Sequence, residues 1–524
     1  MKILKKGNLF YIFLVTYFFY LLLLIFRSSF IFHGTRYFVL FDDEMVSMRY
    51  ANNLAHGLGL VWNPGGIRVE GFTNPLWTLY MTLYHFLPIP LSKISFFIQL
   101  TGALLLSINL YFVRKLVQLL TDNNKFAVIS TVLFTAFYFP LNNWGAILGT
   151  EVSALTLLIT ASTVLTIQSV KKGQFSYLIY ILLGIGTFIR MDAIVPAIVI
   201  IGYLLVVDSK RRKKQIYFGI PIFLLFILIQ FLLRHCYYNE WLPNTYYLKL
   251  TGYPVFRRIL SGTFVFTLFM NWFLIAIPFA LLLIKRNKYI FLILALFIAQ
   301  VAYSIYVGGD GWEFYGGSNR YITPVMPLYF VFYFLFASSI ISSIKERIRK
   351  DKLLIYRLGL ILFFSVTFLS ISYINHFTFL EMLFIKKPID SADNEFHVMQ
   401  AYELTKITNK NAKIAVSWAG VIPFFTERYF IDLLGKNDKI IAREYSKRAC
   451  LHWKTFNDYV ACFYPGHMKW DYSYTLGELR PDVVIDAYPS DQANPYLDKY
   501  YNHIDSIEVL KNTKNVNLKF LHNL

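Results

Sequence analysis

Three consecutive acidic residues, Asp42, Asp43 and Glu44, begin the first polar stretch that follows a long apolar segment. Apolar side chains recur at helical spacing over residues 45–55, so the sequence predicts a short amphipathic helix that starts just after Asp42. Burial and a like-charged neighbour raise the pKa of a carboxylate, which suits it to accept a proton from a hydroxyl group. Asp42 and Asp43 are therefore the candidate catalytic residues. A structural interpretation stays open, in which the acids only cap the helix and complement its dipole.

Polar residues continue around two turns in the same stretch. Asn63-Pro64-Gly65-Gly66 predicts a tight turn, and Asn74-Pro75 predicts a helix that begins with proline at its first position. Residues 75–89 are apolar, but we predict that they lie at the membrane surface or re-enter it. The candidate substrate-binding residues here are Glu44, Arg49, Asn63, Glu70 and Asn74.

Further polar groups interrupt the apolar segments downstream. Arg190-Met191-Asp192 divides a long apolar stretch into two short helices, and a charged pair inside a membrane is costly unless it has a function. A structural ion pair is the alternative. The predicted cations for a donor phosphate are Arg190, Lys249 and Arg320. The other predicted substrate-binding residues are Glu151, Asp192, Asn244, Tyr246, Tyr247, Asp310 and Trp312.

The elements that must position these residues cross a membrane. Of 524 residues, 56% are hydrophobic and only 16% are charged, which is more apolar surface than one soluble core can bury. Apolar stretches recur at a length that suits a membrane-spanning helix. The predicted spans are residues 9–31, 94–113, 126–140, 151–169, 176–190, 192–207, 216–233, 262–284, 289–306, 321–343 and 354–374.

The positive charge indicates how these spans are oriented. The net charge is +20, yet residues 377–524 carry 18 basic and 18 acidic residues, so the excess lies in the membrane part. It falls in clusters between apolar segments, which is typical of cytoplasmic loops and excludes a nucleic-acid footprint. We predict a multi-pass protein of the bacterial inner membrane with a cytoplasmic N-terminus.

The chain is predicted to have two domains, a transmembrane domain over residues 1–376 and a soluble extracytoplasmic α/β domain over residues 377–524. Within the second, the tail, a helix is predicted at 395–408 and strands at 413–418 and 482–485. Cys450 and Cys462 lie in this tail, and the sequence leaves open whether they form a disulfide bond.

The sequence resembles the GT-C superfamily of polyprenyl-phosphate-dependent glycosyltransferases. The similarity is carried by Asp42-Asp43 through Arg49-Tyr50, by Val61-Trp62-Asn63-Pro64-Gly65 with Glu70-Gly71-Phe72-Thr73-Asn74, by Gly149 to Glu151, by Leu242 to Tyr247 and by Gly308-Gly309-Asp310. In the tail it continues through Ile431 to Gly435, Pro465-Gly466-His467 and Arg480 to Val484. The branch it resembles most contains the terminal arabinofuranosyltransferases that cap mycobacterial arabinan.

The resemblance implies an inverting transferase. Asp42 or Asp43 would deprotonate an acceptor hydroxyl, which attacks a lipid-linked sugar such as arabinofuranose, and the acceptor would be an envelope glycan or lipid. The expected partners are this donor, the acceptor and membrane lipid, with no nucleic acid. Two alternatives stay open: a non-catalytic scaffold of the same fold, for example associated with flagella or the envelope, and a transporter of lipid-linked glycans. Mg²⁺ or Ca²⁺ is a candidate cofactor, although no loop has a recognisable metal-ligand pattern.

Overall fold

The structure, a computed structural model, is mainly helical, with a small sheet in the tail. It describes residues 6–121, 124–269, 287–310, 319–347, 353–371, 384–385, 387, 391–446, 462–488 and 490–520. The chain divides into two compact units, each built from three segments. The first, which we call the membrane unit, comprises Met1–Phe26, Leu100–Ile229 and Arg258–Lys386. The second, which we call the outer unit after the predicted extracytoplasmic location of the tail, comprises Arg27–Gln99, Gln230–Arg257 and Lys387–Leu524. The predicted boundary between residues 376 and 377 lies outside the described residues and stays a prediction.

Long apolar helices account for most of the described chain. Six are long and apolar enough to cross a membrane: Leu9–Ser28, Leu91–Thr121, Val152–Lys172, Ser209–Tyr238, Lys288–Val307 and Thr323–Ser342. A seventh candidate is a pair of helices, Lys125–Phe137 and Phe139–Ile147, that meet at 53°. The other apolar helices are Tyr177–Ile189, Ile194–Val207, Val255–Phe269 and Leu353–Ile371.

A helix overlaps each of the predicted spans. The fold is that of a multi-pass membrane protein. The count of eleven crossings stays a prediction, because two of the helices have only 13 and 14 residues and most of residues 262–284 lie outside the described residues. The predicted break at Arg190-Met191-Asp192 is confirmed. One helix ends at Ile189, a 3-10 turn covers Met191–Ala193, and the next helix begins at Ile194.

Glycine permits a close approach within the membrane unit. A Cβ atom on Gly102 would lie 2.0 Å from the backbone oxygen of Gly145, which belongs to the bent segment after Phe139. Any larger residue at position 102 would push these two backbones apart. The bend therefore depends on a glycine in the facing helix.

The outer unit contains two short helices that follow the first membrane helix. The acidic helix, Asp42–Ala55, begins at Asp42, one residue earlier than predicted. The second, Pro75–His85, has proline at its first position, as the sequence predicts. We call it the short outer helix. Its 11 residues are too few to cross a bilayer.

The tail is an α/β domain, as predicted. The predicted helix and strands are confirmed as Ser391–Ile407, Lys413–Val416 and Val483–Ile485. The strands of the outer unit are β1 (Phe30–Phe32), β2 (Thr35–Tyr37), β3 (Lys413–Val416), β4 (Tyr429–Asp432), β5 (Val483–Ile485), β6 (Tyr501–Ile504) and β7 (Ile507–Leu510). The tail sheet has the order β4-β3-β5-β7-β6, with parallel pairing from β4 to β5 and antiparallel pairing beyond. Its other described helices are Val421–Thr426, Lys439–Arg443 and Ser490–Tyr500.

One hydrophobic core joins the tail to the first outer segment. Tyr50, Trp62 and Phe72 pack with Ile414 and Phe430 of the tail sheet, and all five are buried. Because a core is packed as densely as an organic crystal, these segments hold each other in a fixed register. The acidic helix is thereby fixed to the tail.

The buried histidine at the end of the short outer helix predicts a loss of stability in acid. Burial lowers the pKa of His85 to about 4, its ring packs 5.9 Å from that of Phe424, and its Nε2 has no hydrogen-bond partner among the described residues. The unfolded chain takes up this proton near pH 6.5 and the folded chain does not, so the free energy of unfolding falls from about pH 6.5 towards pH 4, by at most about 3 kcal/mol.

The measurement is the melting temperature of the detergent-purified protein at pH 7.5 and at pH 5. The wild type should lose more stability on acidification than the His85→Phe variant, which keeps an aromatic ring but has no titrating group. An equal loss in both proteins would contradict the expected role of His85.

Candidate functional site

The acidic helix is buried on nearly all sides, so the prediction of an amphipathic helix is wrong. Residues from Glu44 to Ala51 are all buried, because the helix lies between the short outer helix and the tail helix Val421–Thr426. No side chain caps its N-terminus, where Phe41 is the cap residue. The three acids lie in its first turn, and two of them, Asp42 and Asp43, contact the tail.

Asp42 anchors a tail helix. Its Oδ1 accepts hydrogen bonds from the backbone N–H groups of Gly420 (3.1 Å) and Val421 (2.9 Å), at the start of helix Val421–Thr426. A Cβ atom on Gly420 would lie 1.9 Å from the backbone oxygen of Asp42, so only glycine allows this approach. Burial raises the pKa of Asp42, while His397 and the N–H of Val421 oppose the shift. The carboxylate therefore serves as an N-terminal hydrogen-bond acceptor for the tail.

Asp43 contacts a lysine of the tail. Its Oδ1 lies 2.7 Å from Nζ of Lys436, and the Asp43 side chain is 25% exposed. This partner is separated from Asp43 by 393 positions in the sequence, and the sequence did not single it out. The pair is a partly accessible carboxylate with a cation beside it.

The loop that carries Lys436 is held by several hydrogen bonds. We call residues Asp432–Asp438 the lysine loop. Asp432 is buried and its carboxylate accepts from the backbone N–H groups of Leu434, Gly435 and Asn437, as well as from the Asn437 side chain. Burial raises the pKa of Asp432 to about 6, while these hydrogen bonds oppose the shift. The loop is therefore organised from inside by its first residue.

Two residues outside the tail also fix the lysine loop. Asn244 donates its amide to the backbone oxygens of Gly435, Lys436 and Asp438, at 3.0 to 3.1 Å. Tyr50, from the acidic helix, donates its hydroxyl to Asn437 at 3.0 Å. The predicted substrate-binding residue Asn244 therefore has a structural contact that explains its position.

Glu44 and Asn74 connect the acidic helix to the short outer helix. The Asn74 amide donates to Glu44 Oε2 (2.8 Å), and its carbonyl oxygen accepts from Ser47 Oγ (2.9 Å) and Thr78 Oγ1 (3.1 Å). Glu44 and Asn74 are both buried. Because these hydrogen bonds are formed within the protein, the role of Glu44 and Asn74 in substrate binding stays a prediction.

Arg49 and Asn63 bind backbone groups of the tail. The buried guanidinium of Arg49 donates to the backbone oxygens of Trp62, Pro423 and Arg428 and to the Asn63 side chain. Asn63 exchanges two hydrogen bonds with the backbone of Phe430 in β4, as a neighbouring strand would. The contacts of both residues are those of structural residues, and their predicted role in substrate binding stays a prediction.

Glu70 forms a buried bidentate ion pair with Arg234. Arg234 Nη2 lies 3.1 Å from Glu70 Oε1, and Nε donates to Oε2. Both side chains are at most 5% exposed. The sequence pattern also predicts an outer loop that begins at Arg234 and His235, but both residues lie within helix Ile220–Tyr238, with His235 in its last turn. The helix ends at Tyr238, so the loop begins after that residue.

The remaining outer-unit candidates lie on helix Asn244–Leu250. The ring of Tyr247 stacks against the guanidinium of Arg443, with 4.0 Å from Cζ to the ring centre, and Tyr246 is 37% exposed. The aliphatic chain of Lys249 packs against Gly466, where a Cβ atom would lie 3.2 Å away. Aromatic rings and cations of this kind are suited to contact a sugar and a phosphate.

The membrane unit brings together a second set of predicted residues. Arg190 forms a bidentate ion pair with Asp192 (2.9 and 2.6 Å) and lies 3.3 Å from Glu151. Its guanidinium also stacks on the ring of Tyr321, 5.0 Å from the ring centre. All three charged side chains are nearly fully buried. One guanidinium thus pairs with two carboxylates.

Arg320 and Asp310 form the other part of this set. Arg320 Nε lies 3.3 Å from Asp310 Oδ2, which also accepts from the Arg320 backbone N–H, and the guanidinium lies 5.7 Å from the ring centre of Trp144. Trp312 lies outside the described residues. That the polar residues of the two units line one cavity stays a prediction.

The remaining candidate features are metal-binding groups and the cysteines. Within the described ranges, no group of three or more His, Cys, Asp and Glu side chains is placed to hold a metal ion. Cys462 is disulfide-bonded and Cys236 is a free thiol. Cys450 lies outside the described residues.

The comparisons with known proteins agree with this architecture. A family described as "Domain of unknown function (DUF8728)" matches residues 390–518, which is most of the tail. No curated protein matches the chain. The fold is similar to two crystal structures of ArnT from Cupriavidus metallidurans. For the apo structure the TM-score is 0.55 at 12% identity, covering 95% of this chain and 97% of that one. For the structure bound to undecaprenyl phosphate the TM-score is 0.56 at 10% identity, covering 97% and 98%. The chain therefore has an ArnT-like fold.

Proposed function

We propose that this protein is an inverting glycosyltransferase of the GT-C type. It transfers a sugar from a polyprenyl-phosphate donor to an envelope glycan or lipid on the extracytoplasmic face, with Asp43 as the general base. The observation that carries the proposal is the Asp43 carboxylate, which is partly exposed and paired with Lys436 in an ArnT-like fold. The undecaprenyl phosphate bound to one ArnT structure supports the class of donor.

Asp43 is the better candidate for the base because its carboxylate is 25% exposed, so an acceptor hydroxyl can reach it. Asp42 accepts two backbone N–H groups through Oδ1, and the buried Glu44 accepts from Asn74. Asp43 takes the proton of the acceptor hydroxyl, whose oxygen forms a bond to the anomeric carbon. The bond from that carbon to the phosphate oxygen breaks, and polyprenyl phosphate leaves with the electron pair.

The cations predicted for the phosphate have different surroundings. Lys249 and Arg320 remain our candidates to stabilise charge on the leaving oxygen. Arg190 pairs with Glu151 and Asp192, so we assign it first to holding the break between its two helices. Arabinofuranose as the donor sugar is a proposal that rests on the sequence resemblance alone.

The function is tested by the glycan profile of the cell envelope. A strain that lacks the protein is compared with strains that carry the wild type or the Asp43→Asn variant. We expect one defined sugar to disappear, to return with the wild type and to stay absent with the variant. A profile that is the same in all strains would contradict the proposal and favour a non-catalytic scaffold.

A further inference from the structure

The tail places a cation beside the proposed base. Lys436 Nζ lies 2.7 Å from Asp43 Oδ1, with the lysine side chain 16% exposed. Lysine at a protein surface is normally mobile, because its four-carbon chain has many rotamers. Here most of the side chain is covered, so the ammonium group is held next to the carboxylate.

The backbone around Lys436 is fixed from three directions. Asp432 binds the loop from the tail sheet, Asn244 binds three of its carbonyl groups from helix Asn244–Leu250, and Tyr50 binds Asn437 from the acidic helix itself. Gly71 allows a further close approach, since a Cβ atom there would lie 2.0 Å from Asn437 Oδ1. A loop with this many partners positions its one inward cation with little freedom.

We propose that Lys436 is a positioning residue of the transfer site, so that the tail completes this site. This inference rests on the proposed function. The ammonium group holds the Asp43 carboxylate in the orientation in which it meets the acceptor hydroxyl. No bond to Lys436 forms or breaks, and the proton goes from the acceptor to Asp43.

The alternative is that the pair only fastens the tail to the acidic helix. The tail is already fastened to the acidic helix by hydrogen bonds of Asp42 with Gly420 and of Arg49 with Pro423 and Arg428. A partly exposed ion pair also contributes little to stability, about 0 to 1 kcal/mol. Removal of the lysine should therefore lower kcat if Lys436 positions the base, and should lower the melting temperature if the pair only fastens the tail.

The test is the steady-state kinetics of purified Lys436→Met, Lys436→Arg and Lys406→Met variants, with a synthetic polyprenyl-phosphate sugar as donor. Lys406 is the matched control, because it forms a similar tail ion pair with Glu403 at 3.0 Å on the same helix turn. We expect Lys436→Met to lower kcat by about 100-fold, the cost of misplacing a catalytic group, with KM changed less than about threefold. Lys436→Arg should recover most of kcat, and Lys406→Met should match the wild type.

Melting temperatures separate this inference from a structural role. They should agree within about 2 °C among all four proteins, because the pair is partly exposed and other hydrogen bonds hold the tail to the acidic helix. If Lys436→Met keeps its kcat, or if it loses activity only together with its melting temperature and Arg does not rescue it, the inference is wrong. An inactive wild type would instead contradict the proposed function, independently of Lys436.

Discussion

We expect the Asp43→Asn variant to lose sugar transfer by about 100-fold to 10,000-fold in kcat, the range that a general base contributes. Asparagine has nearly the shape of aspartate and can still accept a hydrogen bond from Lys436, so the lysine loop keeps its position. It cannot take the proton of the acceptor. The measurement is kcat with the purified protein and a lipid-linked sugar donor, together with the melting temperature.

Asp42→Asn is the matched control for this result. Its amide oxygen can still accept the N–H groups of Gly420 and Val421, so the tail stays anchored and kcat should fall by less than about tenfold. Asp42→Ala removes the acceptor and should lower the melting temperature. If Asp42→Asn abolishes transfer while Asp43→Asn does not, the roles of the two acids are reversed.

Features that depend on local pattern could be predicted from the sequence. The apolar stretches predicted helices in the right places because helix length and apolar composition are set by the bilayer itself. The acidic helix follows from apolar residues at helical spacing, the start of the short outer helix from its proline, and the break after Arg190 from charged residues within an apolar stretch. The tail helix and its first strands have a similar local origin.

Contacts over long sequence separations could not be predicted. Asp43 pairs with Lys436 across 393 positions, and Glu70 pairs with Arg234 across 164. The error about the acidic helix has the same cause. One face of this helix has polar side chains, such as Glu44 and Arg49, which a local pattern predicts to be exposed to solvent. In the structure the tail and Asn74 cover them.

One signal near the site was present in the sequence. Ile431 to Gly435 was among the segments that resemble the family, and Asp432 is the residue that organises the loop after it. A buried acid followed by Gly, Lys and Asn is typical of a turn whose backbone N–H groups need an acceptor. The lysine loop could thus have been suspected, although its partner could not.

The largest expected effect on stability belongs to the Glu70–Arg234 pair. Arg234→Met leaves the Glu70 carboxylate buried without its cation, and breaking one partner of such a pair costs about 3–5 kcal/mol. A double variant, Glu70→Met with Arg234→Met, has no buried charge at this place and should recover most of the loss. The measurement is the free energy of unfolding in detergent for the wild type, both single variants and the double variant.

The pH dependence of Arg234→Met gives an independent check with a definite sign. Burial raises the pKa of Glu70 in the wild type, against the opposing effect of Arg234. Without the arginine the pKa rises further, so the folded variant binds a proton that the unfolded chain has already released. Its stability therefore falls as the pH rises from the unfolded pKa, near 4.3, towards the folded pKa. Arg234→Met should lose less stability at pH 5 than at pH 8.

A loss below about 1 kcal/mol, or a double variant less stable than either single one, would mean that the pair does not hold Glu70 in this buried position.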